Sequence, residues 1–148
     1  MRELPSVKTI TLSEFELDID YYLKKEYADI GEALVELPAI IEWINEQLQV
    51  MIESKEIAKF TLKEREATAF FDLRGGQFEH QGLAGKATDR AIEFAIDLQE
   101  GVREAAHDLA VLQGWVSRLS NLLATFNVKF DLIRSTEATR RKELETPQ

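Results

Sequence analysis

From Thr88 to Arg134 an apolar residue recurs every three or four positions without a break: Ala91, Ala95, Leu98, Val102, Ala105, Leu109, Leu112, Val116, Leu119, Leu123, Phe126, Phe130 and Ile133. That alternation is the seven-residue repeat that stacks side chains along one seam of an α-helix. Thr88 is placed to cap the N-terminus, and Asp89 falls in the first turn, where the helix dipole favours negative charge. No proline interrupts the run, so the spacing predicts one amphipathic helix over 88–134, about 45 residues and roughly 70 Å long. A rod of that length has too little core of its own and requires partner helices.

The seam is broader than a two-stranded zipper needs. With Val102 and Ala105 as a and d, the g positions are Phe94, Gly101, Asp108, Trp115, Leu122 and Lys129, three of them large and apolar. The e positions (Gln99, Ala106, Gln113, Ser120 and Asn127) lack the charged pairs that tune dimeric zippers. A face of this kind suits several neighbours, as in a bundle or a ring of subunits. Leu109, Leu112, Trp115, Val116, Leu119, Leu122, Leu123, Phe126 and Phe130 are therefore the residues expected to hold copies of the chain together.

Upstream, residues 1–12 read as a loose N-terminus, and Ser13-Glu14-Phe15-Glu16 fits a capping box. Ile19, Leu23, Tyr27, Ile30, Leu34 and Leu37 then recur at helical spacing, until Pro38 predicts a kink or a fresh start. The period resumes through Ile41, Ile44, Leu48, Met51, Ala58, Leu62, Ala69 and Leu73, and stops at Gly75-Gly76. Residues 13–74 are thus an acidic first helix and a second long helix, broken near Pro38. Residues 75–87 form a glycine-rich loop that reverses the chain, so 39–74 and 88–134 should pack antiparallel. Residues 135–148 read as a frayed, partly basic tail. The expected fold is all-α: one helical domain, a long antiparallel hairpin completed into a coiled-coil-like bundle by homo-oligomerisation.

The net charge of −9 is concentrated: Glu14 to Glu53 holds eleven acids against Lys24 and Lys25, whereas the rest is nearly balanced. Overall charge argues against general nucleic-acid affinity but leaves room for a local basic face. Cysteine is absent, so disulfides and thiolate chemistry are not available, in keeping with a reducing compartment. Neither a signal-like apolar stretch at the N-terminus nor an 18-residue apolar run occurs, so the expectation is a cytoplasmic protein with no membrane partner.

Lys55, Lys59 and Lys63 recur at four-residue steps on one helix face, with Arg65 nearby and Arg74 three turns beyond Lys63. Such a row can follow a phosphate backbone, although Glu56, Glu64 and Glu66 interleave and a solvated face of local ion pairs is the competing reading. Phe60, Phe70, Phe71 and Phe78 lie in the same region and could stack on unpaired bases or pack a core. Glu104-Ala105-Ala106-His107 spells a di-iron half-motif, but Ala105 occupies the seam and turns Glu104 and His107 outward. No Walker or dinucleotide loop occurs, and no catalytic constellation or cofactor site emerges. The chain reads as a non-enzyme.

The order of several marks resembles phage recombination mediators of the UvsY type. These marks are Ile19-Asp20 followed by Leu23 and Glu26, then Leu37-Pro38 and Trp43. Leu62-Lys63-Glu64-Arg65 follows, matching that family's Leu-Lys-x-Arg, with Phe70-Phe71 just before a glycine-containing loop and a long amphipathic helix with a basic end. The resemblance implies a helical homo-oligomeric ring that binds single-stranded DNA and helps a RecA-like recombinase displace the single-strand-binding protein in a bacterial host cell. It also implies Lys63 and Arg65 as DNA contacts, to which helical geometry adds Lys59, Lys55 and Arg74. The alternative is a non-enzymatic helical scaffolding or protein-interaction protein of phage or bacterial origin.

Overall fold

The computed structural model describes residues 21–77 and 88–146. Every regular element among them is helical: α1 (Ile30–Asp72), a π-helical turn (Leu73–Gln77), α2 (Asp89–Ile96) and α3 (Glu100–Glu145), with one helical turn at Tyr21–Lys24 ahead of them. The expected loose N-terminus, the capping box at Ser13 and most of the 75–87 loop lie outside the described residues. Where one domain is expected, contacts gather into two compact units, Met1–Glu46 with Ser120–Gln148 and Gln47–Leu119.

The expected break near Pro38 is absent. α1 passes through the proline, and the chain departs from helix earlier, at 25–29. An interior proline forfeits one backbone hydrogen bond and costs about 3 kcal/mol. Ala33, Leu37, Ile40 and Ile44 flank it, each no more than 1% exposed, and burying such side chains is worth about 1.5–3 kcal/mol apiece for the larger ones. Packing outweighs the lost bond. The start of α1 is fixed by Asp29, whose Oδ1 accepts the Gly31 N–H at 2.9 Å as an N-cap does.

The expected single helix over 88–134 is two. Thr88 caps α2 as read, its hydroxyl accepting the Ala91 N–H at 3.2 Å, but the chain turns tightly at 97–99 before α3 begins. Leu98 and Gln99 donate backwards to Ala95 and Ile96 over three residues, and the Gln99 side-chain amide donates to the Ala95 carbonyl at 3.1 Å. Ala95 and Val102, seven residues apart, stay buried on either side of the turn, so that spacing conceals it. The seam position between them, Leu98, is however 63% exposed, and Ile92, off the expected seam, is buried. The tail beyond 134 is helical to Glu145 rather than frayed. Glu137 binds Arg141 at 3.2 Å, and strong helix formers fill the last turns.

In the unit Gln47–Leu119, residues 54–65 of α1 lie beside 101–112 of α3 in opposite directions. Arg65 reaches Gly101, while Ser54, Ala58 and Thr61 share a groove of about 430 Å³ with Ala105, Asp108 and Leu112. Leu73, Ile92 and Ala95 form a small core where the π-helical turn meets α2, with Phe70 against it. In the other unit, Phe126, Leu37, Ile40 and Ile44 are fully buried, and the Lys129 ammonium caps the turn at Tyr21–Lys24. Gly114 stands inside α3 with open space where a Cβ would go. Gly114→Ala should therefore stabilise the fold by about 0.5–1 kcal/mol, a rise of about 2–4 °C in melting temperature. A fall on thermal melting followed by circular dichroism would place a neighbour over that position.

Candidate nucleic-acid interface

The lysine row rides on uninterrupted helix. Lys55 to Lys63 spans about 12 Å along α1. Lys55 and Lys59 are half-buried and Lys63 is exposed. Lys59 Nζ binds Glu56 Oε1 at 3.0 Å, with both groups open to solvent, so the pair is weak and exchanges readily for a competing anion. The Glu56 carboxyl is held below the usual carboxylate range first by that hydrogen bond, then by the positive charges of Lys59, Lys55 and Lys63. Three ammonium groups thus surround one carboxylate and leave two net positive charges on the stripe.

Arg65 belongs elsewhere. Two residues beyond Lys63, it emerges about 160° away around the helix. Its guanidinium donates to the Gly101 carbonyl at 2.9 Å and contacts Glu104 at 3.4 Å. One phosphate cannot therefore take both side chains of the Leu-Lys-x-Arg stretch from the same copy. Arg74, on the π-helical turn, sits 5.7 Å over the Phe70 ring and 3.8 Å from Asp89, exposed throughout. The aromatics also divide: Phe70 packs the core at Leu73, Phe71 meets it edge-on at 5.9 Å yet stays open, and Phe60 is open as well. Phe78 lies outside the described residues.

The nine seam residues divide too. Leu119 and Phe126 are at most 1% exposed and fill the chain's own interior, whereas Leu109, Leu112, Trp115, Val116, Leu122, Leu123 and Phe130 are half-buried. Arg118 lies over Trp115 at 5.4 Å and Arg134 over Phe130 at 5.5 Å. Glu104 and His107 are exposed, as their place off the seam requires. Among the described residues no cluster of three or more acids and histidines is set to hold a metal, and no helix is long and apolar enough to cross a membrane.

Two features escape the sequence reading. One is Lys129, whose ammonium donates to the carbonyls of Tyr22, Leu23 and Lys25 at 2.7, 3.2 and 2.8 Å. Burial holds its pKa below the usual lysine value. Around it, Lys25 binds Glu32 and Glu36, and the Tyr27 hydroxyl donates to Glu36 at 3.1 Å. Those carboxylates raise the Lys25 pKa, while burial first and Glu36 second raise that of Tyr27. The available signal was a charged residue at a g position of an apolar seam. The other feature is a second apolar stripe on α1, on the side away from Leu62 and Leu73. Comparison with protein-family models, curated proteins and solved structures yields no significant match.

Proposed function

We propose that this protein is a non-enzymatic, homo-oligomeric single-stranded DNA-binding mediator that assists a RecA-like recombinase against the single-strand-binding protein. The observation that carries the DNA reading is the stripe Lys55–Lys59–Lys63, two net charges on continuous helix, with its one carboxylate in a solvent-exposed pair. A single copy offers too few contacts for useful affinity, and repetition over several subunits converts weak electrostatic contacts into avidity. The half-buried residues of the seam supply the surface for that assembly. Lys63 is the DNA contact of the Leu-Lys-x-Arg stretch on this reading. Arg65, exposed on another flank, reaches a different phosphate or holds the hairpin through Gly101.

Filter binding with oligothymidylate tests it. Each phosphate contact contributes about 0.7 to the slope of log affinity against log salt on single strands. Lys55→Ala/Lys59→Ala/Lys63→Ala should therefore weaken binding at least tenfold at low salt and flatten the slope by about 2 for each subunit engaged. An unchanged slope defeats the assignment. The scaffolding alternative draws on exposed Phe94 and Leu98 around the 97–99 turn. It predicts no retention of oligonucleotide even at low salt.

A further inference from the structure

α1 carries large exposed apolar side chains on the side opposite Leu62 and Leu73, with Ile57 at its margin also bordering the groove against α3. Val50, Ile57, Phe60 and Phe71 are 51, 68, 72 and 70% exposed. With Glu53, Glu64 and Ala67 they follow one another at alternating steps of three and four, the spacing of a seam that receives another helix. Phe60 lies about 160° around the axis from Leu62, which is half-buried. The stripe covers about 31 Å. Four large apolar residues share one register, interrupted by Glu53 and Glu64, the pattern of a helix face that receives a partner.

We propose that this stripe pairs with the same stripe of a second copy, antiparallel and two-fold symmetric about Phe60. The charges select that occupant and that direction. In a parallel pair Glu53 would face Glu53, and Glu64 would face Glu64. Antiparallel about position 60, Val50 meets Phe71 of the second copy, Glu53 meets Ala67, Ile57 meets Glu64, and Phe60 meets itself. Every glutamate then faces an uncharged partner. On one flank of the stripe stand Lys63 and Glu56, which also binds Lys59 of its own chain at 3.0 Å. The same symmetry brings Glu56 and Lys63 opposite each other twice, as two solvent-exposed interchain ion pairs that nucleic acid can displace. On the other flank Ser54 and Thr61, which also border the groove against α3 of the same chain, and Thr68 are small and uncharged. A two-fold interface is self-complementary in this way, with each residue's partner bound by its counterpart. The pairing differs from the α3 seam, and it sets the two lysine rows on the same side of the helix pair.

The chain has no cysteine, so single cysteines report the register directly. A disulfide needs Cα atoms within about 7 Å. In the full chain under mild oxidation, without nucleic acid, Phe60→Cys should form a covalent dimer. Val50→Cys and Phe71→Cys should each form no disulfide-linked dimer alone and should link when mixed. Retained helical circular dichroism of the reduced variants confirms folding. Glu56→Lys or Lys63→Glu placed on Phe60→Cys should cut the cross-linked yield severalfold, and the two together should restore it. Failure of Phe60→Cys to link overturns the pairing. Self-linking of Val50→Cys and Phe71→Cys, or a double charge swap that does not restore the yield, overturns the antiparallel register.

Discussion

Phe126→Ala is expected to destabilise the fold by about 3–5 kcal/mol. Among the described residues Phe126 is the largest fully buried side chain, at 0% exposure. Truncating an aromatic in such a place forfeits its transfer free energy and leaves a cavity that neighbours fill only in part. Domains of this kind hold a net stability of about 5–15 kcal/mol, so the loss is a large fraction of the whole. Urea unfolding read by circular dichroism measures it, and a change below about 1 kcal/mol would show that the site collapses freely or that Phe126 is not enclosed. The contrast with Leu122→Ala matters for function. Leu122 is half-buried four residues earlier, so its truncation should cost the fold far less. If the seam joins copies as proposed, sedimentation of Leu122→Ala should show a smaller assembly with the helices intact.

The difference between those two positions was not legible in the sequence. Leu119, Leu122, Leu123 and Phe126 all belong to the broad a/d/g face, and periodicity reports that a face is apolar without saying what covers it. The helical class, the Thr88 cap, the antiparallel run of 54–65 beside 101–112 and the outward setting of Glu104 and His107 all followed from spacing alone. The segmentation did not. At Pro38, a local rule lost to the burial of Ala33, Leu37, Ile40 and Ile44 on both sides of it, which a reading of neighbours one at a time does not weigh. At 97–99 a tight turn left Ala95 and Val102 buried seven residues apart, as one helix would, so the spacing did not mark it. The turn nevertheless leaves Leu98 out in solvent and buries Ile92 in place of Ala91. At the basic row, four-residue steps correctly grouped Lys55, Lys59 and Lys63. The neighbouring Arg65, drawn in by resemblance, faces another way because two residues turn a helix by about 200°.

Lys129→Met should unlatch the helical turn at 21–24. A lysine ammonium has three N–H donors, and here all three meet carbonyls, those of Tyr22, Leu23 and Lys25. Carbonyls at the end of a helical turn have no partner within the turn and carry its partial negative charge, so a cation there both bonds them and neutralises the dipole. Each bond to a charged donor contributes about 1.5–3 kcal/mol where it is shielded from water, and exposure in part reduces that here. Methionine keeps the stem and removes every donor. The expected cost is about 2–4 kcal/mol, confined to the segment from Tyr21 to Glu36, with no change in Gln47–Leu119. Lys129→Arg should restore little, because a flat guanidinium cannot aim three donors at convergent carbonyls as a tetrahedral ammonium does. Hydrogen exchange resolves the two regions. Faster exchange at 21–36 alone fits the latch, whereas equal acceleration everywhere would make Lys129 an ordinary core contributor, and unchanged exchange at Tyr22–Lys25 would show that the three carbonyls are satisfied without it.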